Sequence, residues 1–157
     1  MPDPTRYTIL TQLKAALEAV TVVGGYWKTI TTVDICATSP DDSEITSAML
    51  PWIGIIPQGE SYFEELSELR TEWAFDLLVY FDVTTRTQLG LALECTKFAH
   101  DLRKCIYANR TLGMNEVYAL SLTKRTGAEG LKEAVRRGRG FITASGKITF
   151  LENYDAA

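Results

Sequence analysis

The chain holds one histidine and three cysteines among its 157 residues, and that scarcity removes much chemistry at the outset. Cys36, Cys95 and Cys105 are odd in number and form no Cys-x-x-Cys pair, so the chain encodes neither a disulfide framework nor a zinc site of ordinary spacing. If Cys95 and Cys105 share a helix, they stand ~15 Å apart along its axis, beyond the ~7 Å Cα separation a disulfide can span. They read as small apolar residues in a reducing compartment. Apolar runs are short as well, none approaching the roughly 20 residues of a membrane helix. The start, Met1-Pro2-Asp3-Pro4-Thr5, lacks the basic and apolar segments of a signal peptide. The expectation is a soluble chain, intracellular when made and without a membrane partner. Basic residues are not in excess: sixteen Lys and Arg face twenty Asp and Glu, a net charge of −4, which argues against a dedicated nucleic-acid binder.

What is present suffices for a core. With 46% hydrophobic and 10% aromatic residues, wholesale disorder is excluded. A domain of this length buries roughly 70% of its unfolded surface and needs no covalent staple. There is no internal repeat and no linker, so residues 1–157 read as one domain.

Periodicity assigns the elements. Ile9, Leu10, Leu13, Ala16, Leu17 and Val20 form one stripe of a helix over 4–20, with Pro4 in its first turn and Gly24-Gly25 after it. Tyr26 to Cys36 is rich in Thr, Ile, Val and aromatics and reads as a strand. Ala37 to Ala48 is a turn-forming acidic loop, and Pro51 introduces a short strand, Trp52 to Ile56, which Pro57 and Gly59 stop. Thr71 to Thr84 alternates with period two, one face core and the other mixed, open to solvent or another subunit. Residues 60–70 fit a short helix or a strand. A second helix spans about Thr87 to Tyr107, with Leu91, Cys95, Phe98, Leu102 and Cys105 as its stripe. Val117 to Thr126 and about Lys147 to Tyr154 are strands, separated by the glycine-punctuated, charged stretch Gly127–Gly140. The fold class expected is α+β: two main helices packed on an antiparallel or mixed sheet of about five strands.

Catalytic and ligand motifs fail on spacing. Gly140 to Lys147 departs from a phosphate loop: five residues separate its glycines, Ile148 stands where Ser or Thr should bind magnesium, and no helix follows. Ser145-Gly146 reads instead as a hairpin turn. Asp76 and Asp82 share a strand face but sit ~20 Å apart, too far for a glycosidase pair at roughly 5–9.5 Å. Asp41-Asp42-Ser43-Glu44 lacks the alternating ligands and central glycine of a calcium loop, and reads as a solvated acidic loop. His100 lies about 180° around its helix from Leu91, a surface or interface position. Trp27, Trp52 and Trp73 fall on three candidate strands as core or interface residues. No catalytic, cofactor-binding or metal-ligating residue is assigned.

Charge is unevenly placed. From Asp41 to Asp76 nine acids accompany one base, Arg70, a net −8; from Lys97 to Lys147 eleven bases accompany four acids, a net +7. Lys124, Arg125, Lys132, Arg136, Arg137 and Arg139 crowd into sixteen residues. Two solvated faces would explain this. So would head-to-tail association, in which that basic surface meets the acidic surface of Glu60, Glu64, Glu65, Glu68 and Glu72 on the next subunit; such contacts close into rings. A third reading sets the basic segment against a phosphate backbone.

The order of elements carries a resemblance. A first helix followed by Gly24-Gly25-Tyr26, Leu50-Pro51-Trp52-Ile53 opening an apolar strand, a long alternating strand, and the helix Leu91-x-Leu-x-Cys-x-x-Phe-x-x-Asp101-Leu102-Arg103 precede a closing Lys147-Ile-Thr-Phe-x-x-x-Tyr154. Over nearly the whole chain this resembles the tail-terminator (tail-completion) proteins of tailed bacteriophages; neck and head–tail connector proteins share the layout. The resemblance implies helices on a sheet, a hexameric ring that caps the tail tube and stops its polymerisation, and a surface that joins the head. The implied partners are further copies of the chain, the tube protein, a head-completion or connector protein and passing genomic DNA, in a virion assembled in the host cytoplasm, with no cofactor. Gly127–Gly140 would then be an arm that orders on assembly, with Lys124, Arg125, Arg136, Arg137 and Arg139 as its contacts. The acidic stretch around Glu60–Glu72 has no counterpart in that pattern. Two other classes remain as alternatives: a module binding a phosphate-bearing ligand through Arg136, Arg137 and Arg139, and a small enzyme using carboxylates gathered from different elements.

Overall fold

The computed structural model describes residues 4–65, 68–126 and 131–152. In chain order it contains α1 (Pro4–Glu18), β1 (Thr32–Ile35), two 3-10 turns (Asp42–Glu44 and Ser47–Met49), β2 (Trp52–Glu65), β3 (Glu68–Asp82), α2 (Gln88–Ala108), β4 (Val117–Thr126), α3 (Leu131–Arg137) and β5 (Arg139–Glu152). The strands form one mixed sheet in the order β1-β2-β3-β5-β4. β1 runs parallel to β2, and every other pairing is antiparallel. Among the described residues, no helix is long and apolar enough to cross a membrane.

Two clusters lie on opposite faces of the sheet. On one, Ile9, Leu13 and Leu17 of α1 and Leu91, Phe98 and Leu102 of α2 share a buried core with the inward residues of the strands, among them Ile55, Leu77, Val79 and Ile142. Phe81 and Phe98 stack with ring centroids 4.7 Å apart, a geometry that adds about 0.5–1.5 kcal/mol to the burial itself. On the other face Trp52, Leu78 and Tyr80 are covered by Ile45 and Leu50 from the segment before β2. The alternation of β3 produces both: odd residues face the helices and even ones the second cluster. So the face expected to be open is covered by its own chain at one end, while Glu72, Ala74 and Asp76 remain at least partly exposed at the other.

Four boundaries differ from the sequence expectation, each for a tertiary reason. β2 does not stop at Pro57 and Gly59; it runs on to Glu65 with a register shift between Pro57 and Glu60. β1 has already ended opposite Ile55, so at Pro57 β2 is an edge strand on that side, where no ladder donor is demanded of proline. Trp73 Nε1 donates to the Gln58 carbonyl at 3.1 Å and satisfies the bulge. Residues 60–70, ambiguous in sequence, are thereby the two arms of a hairpin from β2 into β3.

Ser145-Gly146 is not a turn. It lies inside β5, which begins at Arg139. A Cβ on Gly146 would sit 2.6 Å from the Phe75 ring and 2.6 Å from the Ser121 carbonyl; glycine is there to admit a ring and a neighbouring strand, not to reverse the chain. β1 is shorter than Tyr26–Cys36 because the backbone N–H groups of Trp27 and Lys28 donate to Asp101 on α2 (3.0 and 2.8 Å), leaving the sheet. Finally, the stretch expected as a glycine-rich arm contains α3, whose Ala134 is fully buried. Gly138, at φ +72°, ends α3 and turns the chain into β5. The remainder of that arm, 127–130, and the expected strand end at Tyr154 lie outside the described residues.

Candidate functional site

The six bases singled out in sequence do not form one surface. Arg139 sits at the start of β5, mostly buried, and its Nη1 donates to the carbonyls of Asp42 (3.2 Å) and Ile45 (2.8 Å). Arg137, at the end of α3, forms an ion pair with Asp42. Asp42 is therefore no freely solvated acid. The two arginines pin the 3-10 turn over the second core cluster. Arg136 pairs one turn back along α3 with Glu133 at 2.7 Å. Lys132 is exposed on the same helix, and Lys124 and Arg125 are exposed near the end of edge strand β4.

The acidic residues lie on or beside the hairpin. Arg6 of α1 grips its base: Nε and Nη2 donate to Glu60 Oε1 (2.6 Å) and Oε2 (2.9 Å), while Nη1 pairs with Glu152 at 2.5 Å. Tyr62 donates its hydroxyl to Glu60 (2.7 Å), which raises the phenol above its ordinary range. Glu68 accepts from the Tyr118 hydroxyl at 3.2 Å and lies 3.8 Å from Arg70. Glu72 faces Lys147 across the sheet at 3.6 Å. Glu64 is exposed on the β2 arm with exposed Tyr62 and Phe63 beside it. The side chain of Glu65 lies outside the described residues. Part of the charge asymmetry is thus neutralised inside one molecule.

Lys124 and Arg125 have different company. They line a cavity of about 500 Å³ together with His100 and Arg103 of α2, over a floor of Leu122, Ile142 and Ala144. A second cavity, about 450 Å³, shares His100, Arg103 and Leu122 and extends past Tyr107 to Arg110. The two form one groove between α2 and β4. Among the described residues no carboxylate pairs with Arg103, Arg110, Lys124 or Arg125. Sequence reasoning found Lys124 and Arg125 but missed Arg103 and Arg110; for Arg103 the available signal was its place on the side of α2 away from the buried stripe, whereas Arg110 lies in the turn beyond the helix. Among the described residues, no three His, Cys, Asp or Glu side chains are placed to hold a metal.

No protein-family model matches the chain, and no curated protein does. Among solved structures, it superposes on a chain from the virion of a native gene transfer agent (GTA) particle. The TM-score is 0.52 at 10% identity, over 89% of this chain and 92% of that one. The likeness is one of fold. It spans nearly all of both chains.

Proposed function

We propose that this chain is a structural protein of a tailed-phage-type virion, a single-domain terminator that caps the tail tube as a ring, stops its polymerisation and offers the surface to which the head joins. The observation that carries the reading is the fold shared, nearly end to end, with a chain of the gene transfer agent virion. The element order matching the terminator pattern supports it. So does the separation of an acidic hairpin from a basic groove, which suits head-to-tail contacts that close. In this reading the chain catalyses no reaction and uses no cofactor. Its partners are further copies of itself, the tube protein and a head-completion protein, with genomic DNA passing through the assembled ring. A neck or connector protein would share the same fold and charge separation.

Electron microscopy of tail tubes grown with and without the purified chain tests this. A terminator yields tubes of defined length with added density at one end. Tubes that elongate unchecked and bare, while the chain binds emptied heads, transfer the assignment to the connector class. Binding to neither abandons the virion reading.

A further inference from the structure

We infer that the groove between α2 and β4 receives the acidic hairpin of a second copy of this chain, with Tyr62 seated on the apolar floor and Glu64 held between Arg103 and Arg125. This deepens the ring reading above and rests on it.

The argument begins with the groove. Arg103, Lys104, Arg110, Lys124 and Arg125 border it without a carboxylate partner among the described residues, so its occupant is anionic. Yet the groove also presents apolar surface, the half-buried Leu122 beside the buried Ile142 and Ala144 and, further along, the exposed Tyr107 ring, which rewards an occupant with rings or alkyl groups to bury rather than a bare phosphate backbone. The occupant is therefore a polypeptide segment carrying an acid beside an aromatic. The chain contains such a segment. Tyr62 and Glu64 are two residues apart on β2 and so project from the same face. Tyr62 is 69% exposed, so most of its ring is open to a partner that would bury it.

A molecule cannot satisfy its own groove. Three strand spacings separate β2 from β4 in the sheet, roughly 14 Å. Along the strands, Glu64 pairs with Leu69, whereas Lys124 is level with Ser145 and Asp76, seven residues further on, roughly 23 Å. The hairpin arms continue the sheet through Glu64↔Leu69, so these separations hold within one molecule. A contact of hairpin to groove must join different copies; repeated in one direction from copy to copy it is heterologous, the type that closes into a ring, whereas a reciprocal exchange would stop at a dimer.

Complementary charge reversal tests the contact in the full chain. Variant one is Glu64→Lys; variant two is Arg103→Glu with Arg125→Glu. Each variant alone meets like charge and loses association roughly tenfold or more, read by light scattering alone and on added tail tubes. Mixed in equal amounts, every hairpin meets an opposite groove, and assembly returns. Circular dichroism melts matching the parent chain establish that both variants fold; Glu64→Gln and Arg125→Ala, which remove charge without reversing it, give intermediate losses. Rings that persist in either single variant, or a mixture that stays dissociated, overturn the contact and leave the virion reading standing. A parent chain that never associates, in solution or on tubes, overturns both the contact and the terminator ring. Assembly indifferent to the variants, with DNA binding abolished by the arginine pair, reassigns the groove to nucleic acid.

Discussion

At the scale of single residues, buried polar contacts decide more than composition suggests. Asp101 is 2% exposed yet sits on a helix otherwise read only for its apolar stripe. It faces inward because it caps two backbone N–H groups of the segment after α1. Asp101→Ala leaves those donors unpaired, and urea denaturation is expected to register a loss of about 1–3 kcal/mol; Asp101→Asn, which keeps one acceptor, loses less. The two helix cysteines pack as small apolar residues do. Cys95 and Cys105 are buried on α2, and the Cys105 thiol donates to the Ala16 carbonyl of α1 at 3.4 Å. Burial pushes Cys105 from 9.0 up to about 11. Because the folded value lies above the unfolded one, this stabilisation is complete below pH 9 and is lost as pH rises toward 11. A denaturation series across that window is expected to show an alkaline decline that Cys105→Ala reduces, the part left belonging to other groups raised by burial such as Cys95 and Tyr26. At pH 8, a thiol reagent is expected to label half-exposed Cys36 well before either helix cysteine.

At the scale of elements, the outcome turned on what lies beside glycine and proline. Pro57 was expected to end a strand, and does not, since that strand has no neighbour on the proline side. Gly146 was expected to turn the chain, and instead makes room for Phe75. Gly146→Val is expected to lower the thermal midpoint strongly, equivalent to about 1–3 kcal/mol, whereas a hairpin-tip glycine in an exposed turn would show far less. α3 revises the arm as well. Reversing Arg137 sets a carboxylate against Asp42, so Arg137→Glu is expected to destabilise the 3-10 turn as well as alter the surface. Asp42→Lys in the same chain is expected to restore part of the loss, a coupling that a double-mutant cycle measures. For that reason Lys124, Arg125 and Arg103 are cleaner probes of assembly than Arg136 and Arg137.

At the scale of the whole molecule, the two charged segments partly neutralise one another through Asp42 and Glu72, while Arg6 of α1 holds Glu60, and among the described residues Arg103, Arg110, Lys124 and Arg125 border the α2–β4 groove without a carboxylate partner. Association through that groove is screened by salt, with a Debye length of about 10 Å at 0.1 M. The expected result is a light-scattering mass that falls as ionic strength rises, and a mass independent of salt would leave apolar contacts in charge. Arg6 acts at the same scale, tying α1 to the hairpin base and to Glu152. Arg6→Ala is expected to lower stability by about 1–3 kcal/mol and to loosen the hairpin relative to the sheet, visible as faster amide exchange in β2 beyond Pro57.

The sequence by itself determined α1, α2, β3 and β4, because their signals are local: a stripe at helical spacing or an alternation of period two is set by residues within a few positions of each other. The contrast in charge was equally legible. Only the tertiary structure decided the lengths of β1, β2 and β5, since whether proline or glycine interrupts a strand depends on the neighbouring strand and the ring above it. It alone decided which charges are spent inside the molecule, through pairs such as Arg6–Glu60, 54 residues apart, and which are left facing the groove. Neither outcome is encoded in a window of adjacent residues; both follow from which surfaces the packed sheet and helices bring within a few ångströms.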